Sequence, residues 1–139
     1  MGGRSRRAFW GLPLLLAAAA GCGGTSGQVG PTYEVTGQVL LKDGKPLKAG
    51  RVTFLAIDDL SPPASGPIGS DGRFTLTTKV DGDGAVPGQY KIRVEPAASE
   101  GKNGARKPSF PTKYVDADSS GLAATVKAEP NKLDPITLR

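Results

Sequence analysis

The run Gln89–Glu95 alternates strictly: Tyr90, Ile92 and Val94 interleave with Lys91, Arg93 and Glu95. A period of two places the apolar set on one face of an extended chain, which suits a half-buried antiparallel strand. Upstream, Phe74 and Leu76 share a face opposite Arg73, Thr75 and Thr77. The two runs are bounded by turn chemistry. Ser70-Asp71-Gly72 precedes the first, and the Gly/Asp-rich loop with Val86-Pro87-Gly88 separates it from the second. Glycine accepts positive φ there and aspartate bonds back to its own backbone. Gly69–Glu95 therefore reads as turn, strand, loop, strand.

The rest of the chain beyond residue 32 follows the same rhythm. Tyr33–Leu41 is an expected strand with Tyr33, Val35, Gly37, Val39 and Leu41 on one face. Lys42–Pro46 is a hairpin-type turn, and Arg51–Ile57 is a second strand with Val52 and Phe54 inward. Asp58–Pro67 carries three of the prolines within a loop, which keeps it out of any central strand. A short strand is expected around Ile68, and Ala97–Pro108 as a polar, mobile loop. Leu122–Val126 and Pro135–Leu138 are expected as closing strands, separated by the turn Glu129-Pro130-Asn131. With 20 Gly and 12 Pro among 139 residues, turns are frequent and long helices are disfavoured. Some seven short strands with turns about every ten residues predict an all-β, seven-stranded Greek-key sandwich.

The amino terminus reads as an address. Met1–Arg7 is short and basic, and Ala8–Ala20 is an apolar run too short to span a bilayer as a stable helix. Ala19-Ala20-Gly21-Cys22 resembles the lipobox of bacterial lipoproteins, with Ala19 where that family usually has Leu. The resemblance implies a signal peptide over residues 1–21, cleavage between Gly21 and Cys22, and a diacylated Cys22 as the first mature residue. The other reading is an ordinary secretory signal with an incidental cysteine. Cys22 is the only cysteine, and acylation accounts for an unpaired thiol in an exported chain. Each buried acyl methylene contributes about 0.8 kcal/mol, enough over several chains to hold a small domain at a membrane. Ser5-Arg6-Arg7-Ala8-Phe9 also resembles the twin-arginine export motif, against which stands a plain basic leader. Residues 22–32 form a polar tether before a domain over residues 33–139. No Asp follows Cys22, which is compatible with outer-membrane sorting. The expected location is the cell membrane or outer membrane, facing the periplasm or the surface.

Charge excludes one large class of partner. Removing Arg4, Arg6 and Arg7 with the leader takes the 18 Lys and Arg to 15, against 13 Asp and Glu, a surplus of two. No dense cationic patch remains to replace phosphate counterions, so no nucleic-acid partner is expected.

Four motifs in order carry a family resemblance: Val35-Thr36-Gly37-Gln38-Val39, Asp43-Gly44-Lys45-Pro46-Leu47, Asp71-Gly72-Arg73-Phe74 and Val86–Val94. Together they resemble the carboxypeptidase regulatory-like domain, a transthyretin-like (prealbumin-like) sandwich. Tyr33–Leu138 is similar to small secreted planctomycete lipoproteins, in which a segment like Lys113-Tyr114-Val115-Asp116 and Ser120-Gly121-Leu122 precedes the closing strands. The resemblance implies a fold more than an activity.

Catalysis has little to work with. The chain has no histidine, the commonest general base and metal ligand. The histidines and C-terminal tetrapeptide of the related hydroxyisourate hydrolases are absent, as is the zinc peptidase to which such domains attach. No enzyme activity and no cofactor are expected. Asp81 and Asp83 are the metal candidates, since alternating aspartates on a glycine turn can present hard oxygens to calcium. The longer calcium-loop pattern is missing, and Asp-Gly pairs are ordinary turn formers. Phe110 and Tyr114 are the candidate exposed aromatics for stacking a sugar, since Trp10 lies in the leader and Phe54, Phe74 and Tyr90 fall on core faces; the alternative for a proline-flanked loop aromatic is a packing plug. Lys42, Asn131 and Glu95 are a further candidate set, by analogy with adhesin domains of similar fold that crosslink Lys to Asn beside an acid. The expected function is a lipid-anchored, non-catalytic structural or protein-binding module of the envelope. Its partner would be an unidentified envelope protein or wall polysaccharide; the alternative is a carbohydrate-binding module.

Overall fold

The computed structural model describes residues 30–97 and 108–139. The chain is mostly β, with 42% strand and 8% helix, in two sheets that share one apolar core. In the first sheet β1 (Val35–Leu41) is central. On one edge it pairs antiparallel with β4 (Arg73–Thr75), Gly37 opposite Phe74. On the other it runs parallel to β7 (Asn131–Lys132) and then β8 (Ile136–Leu138). Leu133-Asp134-Pro135 breaks that last strand in two, at a proline with no N–H to donate.

The second sheet is antiparallel throughout, in the order β3 (Ala64–Pro67), β2 (Arg51–Ala56), β5 (Gly88–Glu95), β6 (Leu122–Val126). Its register stacks Phe54 beside Ile92 and Leu122, and Val52 beside Val94. Tyr90, Ile92 and Val94 are buried, as their alternation requires, and so are Val35, Val39, Val52, Phe54, Phe74 and Leu76. The Phe54 ring lies 6.1 Å from Phe74 and 6.0 Å from Tyr90, tilted in both cases, and so ties the two sheets together. Gly37 makes room for this cluster. A Cβ there would come within 2.5 Å of the Phe74 ring, so the ring occupies the place of a side chain.

Three segments depart from the sequence reading. The third strand is Ala64–Pro67, not a strand around Ile68. Its inward residues are Ala64 and Gly66, too small to show as an apolar alternation. Smallness is what the site needs, because a Cβ at Gly66 would collide with the Thr75 carbonyl. Ser65 and Thr77 exchange backbone hydrogen bonds of 3.0 and 2.8 Å, which closes this side between the sheets. Asn131, read as part of a turn, also opens β7, bringing the described strands to eight. Finally, residues 108–121 hold a 3-10 turn (Thr112–Val115) and a one-turn helix, α1 (Ala117–Ser120). Asp116 caps α1 by accepting from the Asp118 and Ser119 N–H groups at 2.7 and 3.1 Å, and Gly121 ends it at φ 66°. Most of Ala97–Pro108 lies outside the described residues.

Candidate functional site

Asp83 is a turn organiser. One of its carboxylate oxygens accepts the Thr78 N–H at 2.6 Å, and the other accepts those of Lys79 and Val80 at 3.0 Å each. Burial pushes this carboxyl up, but the backbone donors of Thr78, Val80 and Lys79 outweigh it and hold it below its ordinary value. Asp81 is exposed and meets only the Thr77 hydroxyl, at 3.5 Å. The pair is therefore divided, with most of one carboxylate's capacity taken by its own loop. Among the described residues no group of three His, Cys, Asp or Glu is placed to hold a metal.

Phe110 and Tyr114 are buried, 5% and 4% exposed, which removes them as exposed sugar platforms and bears out the packing-plug alternative. Their rings pack edge to face at 6.5 Å. The Tyr114 hydroxyl donates to the Arg139 carbonyl at 3.0 Å and accepts the Arg139 N–H at 2.9 Å, pinning the chain just after β8. A packed aromatic with both hydroxyl functions satisfied offers no platform to a sugar.

Lys42, Asn131 and Glu95 are not brought together. Asn131 pairs with Val35 at the start of β1, whereas Lys42 follows its end. Seven residues of strand put about 23 Å between those positions. Glu95 sits in the other sheet, paired to Arg93 at 3.4 Å. The Asn131 amide instead accepts the Lys127 N–H at 2.9 Å and donates to the Lys127 carbonyl at 3.1 Å. Gly21 and Cys22 lie outside the described residues, and among those described no helix is long and apolar enough to cross a membrane.

The geometry points instead to β6, which ends its sheet. The Ile57 N–H donates to the Gln89 carbonyl at 2.9 Å, so the odd-numbered residues of β5 bond toward β2. The even-numbered residues bond toward β6, where Tyr90 faces Ala124 and Ile92 faces Leu122. By the same alternation, the backbone groups of Ala123 and Thr125 point away from β5. They have no strand partner among the described residues.

Asn131 covers one end of this edge, at Lys127, as described. At the head of β6, on the side that faces β5, the buried Ser120 hydroxyl donates to the Ile92 carbonyl at 2.6 Å and accepts the Leu122 N–H at 3.1 Å. The strand itself, Leu-Ala-Ala-Thr-Val, carries no charge and no proline. Edge strands are commonly protected by lysine, proline or a bulge, and β6 has none of these within its length. Sequence reading located the strand but not its open side, because only the pairing shows which edge lacks a neighbour.

A cleft lies along the first sheet, between β4, β1 and β7. This cleft of about 460 Å³ is lined mainly by Thr36, Gln38, Arg73, Thr75, Lys132 and Pro135. Gln38 is held by donating to the Asp71 carbonyl at 2.8 Å, and Arg73 lies 3.7 Å from the Asp71 carboxylate. Hydroxyls, an amide and two cations line it together with Phe74 and Leu133, with neither a carboxylate nor a nucleophile–base pair among the lining residues.

No family model, curated protein or solved structure matches the chain.

Proposed function

We propose that this chain is a non-catalytic, lipid-anchored module of the cell envelope that binds a protein partner by accepting a strand on β6. In this reading Cys22 is acylated and residues 23–32 tether a prealbumin-like Greek-key sandwich of the carboxypeptidase regulatory-like kind. The four ordered motifs and the two-sheet, one-core architecture support that fold assignment. The observation that carries the binding reading is the uncharged edge at Ala123 and Thr125, whose outward backbone groups have no strand partner among the described residues. Strand addition draws its affinity from main-chain hydrogen bonds, and an edge of this kind supplies them ready aligned. The carbohydrate alternative is less well supported, because Phe54, Phe74, Tyr90, Phe110 and Tyr114 are all buried.

The test is crosslinking on intact cells with wild type, Cys22→Ser and Thr125→Pro. Proline removes the outward N–H of an exposed edge residue, and the preceding Ala124 is already extended as proline demands. Wild type should capture a discrete protein, and both variants should lose it while Thr125→Pro keeps its melting temperature within a few degrees. An adduct indifferent to Thr125→Pro would rule out strand addition on β6.

A further inference from the structure

The loop Ile57–Pro63 carries an apolar tip that packing does not explain. Leu60 is 87% exposed and Ile57 49% exposed, although the core lies one residue away at Ala56 and Ala64. The tip is built rather than loose. Asp58 accepts the Leu60 N–H at 3.0 Å, Asp59 takes a left-handed φ of 54°, and Pro62 and Pro63 fix the exit. These constraints set Leu60 outward at the apex of a short, stiff turn.

Its position matters more than its hydrophobicity. The loop is tied at its base to the start of β5, where the Ile57 N–H donates to the Gln89 carbonyl at 2.9 Å and the Tyr90 hydroxyl donates to the Val86 carbonyl at 2.7 Å. A Cβ at Gly30 would lie 3.6 Å from the Val86 side chain, and Tyr33 exchanges hydrogen bonds with Ala85 at 2.9 and 3.0 Å. The tip and the point where the amino-terminal chain enters the domain are thus at the same end. Gly30 is eight residues from Cys22. If the glycine-rich sequence between them behaves as a linker, as the anchor reading has it, eight residues would span about 16 Å on average. An acylated Cys22 would keep this end of the domain within reach of the lipid surface.

We infer that the Ile57–Pro63 tip is a second membrane contact, in which Leu60 enters the interfacial region of a neutral, zwitterionic bilayer beside the acyl anchor. The inference rests on the lipid-anchor reading. Asp58 and Asp59 choose the headgroup chemistry. At headgroup depth their carboxylates face the ammonium groups of zwitterionic lipids favourably, whereas anionic headgroups repel them. Contact at two points restricts the tilt of the domain and turns the opposite end, at Lys42, away from the lipid.

The single cysteine makes the test direct, because acylation of Cys22 leaves an introduced thiol unique. Mature, acylated Leu60→Cys and Lys42→Cys proteins are labelled with an environment-sensitive fluorophore. They are then reconstituted into protein-free vesicles of zwitterionic lipid carrying a bilayer quencher. The label at position 60 should be quenched about twofold or more while that at 42 stays as in water. Adding anionic lipid should weaken the quenching at 60, and salt should restore it. Flotation of both proteins with equal, water-like emission overturns the membrane contact alone. Failure of both to float, with no palmitate incorporated, overturns the anchor reading and the contact with it. Shielding of position 60 on cells but not in vesicles assigns the tip to a protein and also overturns the inference.

Discussion

Tyr90 serves the core and a loop with one side chain. Its ring packs tilted against Phe54 while its hydroxyl fixes the Val86 carbonyl ahead of β5. Tyr90→Ala should cost about 3–5 kcal/mol by opening a cavity, and Tyr90→Phe about 1 kcal/mol by removing one hydrogen bond. Urea unfolding measures both, and an unchanged midpoint for the alanine variant would contradict the register of β5. Asp83 gives a prediction in pH. Its folded pKa lies below the unfolded value of about 3.9, so its contribution is complete above that value and is lost as pH falls through the folded one. Asp83→Asn should therefore be less stable than wild type at neutral pH, with the gap narrowing in acid. Thermal melts between about pH 7 and pH 3 would show it, and a gap that persists unchanged would contradict the role given to the Thr78–Val80 donors.

Single hydroxyls decide how the elements meet. Ser120 replaces a missing strand residue at the head of β6 by serving Ile92 and Leu122 together. Ser120→Ala leaves both groups unpaired and should cost about 1–3 kcal/mol. Amide exchange at Leu122 should accelerate selectively; exchange accelerated equally across β5 and β6 would mean that the hydroxyl supports the whole sheet. The same scale shows what sequence reading can reach. β1, β2, β4, β5, β6 and β8 were legible because each presents apolar side chains to one core at period two or in a short apolar run. β3 and β7 were not: Ala64, Gly66, Asn131 and Lys132 have no such pattern, and their pairing is set by neighbours distant in sequence. Phe110 and Tyr114 are sugar-site candidates by elimination, the other aromatics being assigned to the core or the leader, and the packing-plug alternative is the one the structure bears out. They are core because residues 108–121 fold back beneath the end of β8, a tertiary fact with no local signal.

For the molecule as a whole, the proposed anchor and tether would hold at the lipid a domain whose edge strand β6 has no outer strand partner among the described residues. Replacing Cys22 with Ser should abolish palmitate incorporation and move the protein to the soluble fraction, without lowering the stability of a domain that begins beyond the tether. Membrane retention of the variant would contradict anchoring through that residue. The binding edge is tested most directly by installing a photo-crosslinking amino acid at Ala123 and, in a second protein, at Thr36 in the cleft of the other sheet. Both are then irradiated on intact cells. A discrete protein adduct from position 123, absent from position 36, is the result the account predicts. Adducts from position 36 alone would move the binding surface to the cleft and contradict strand addition on β6.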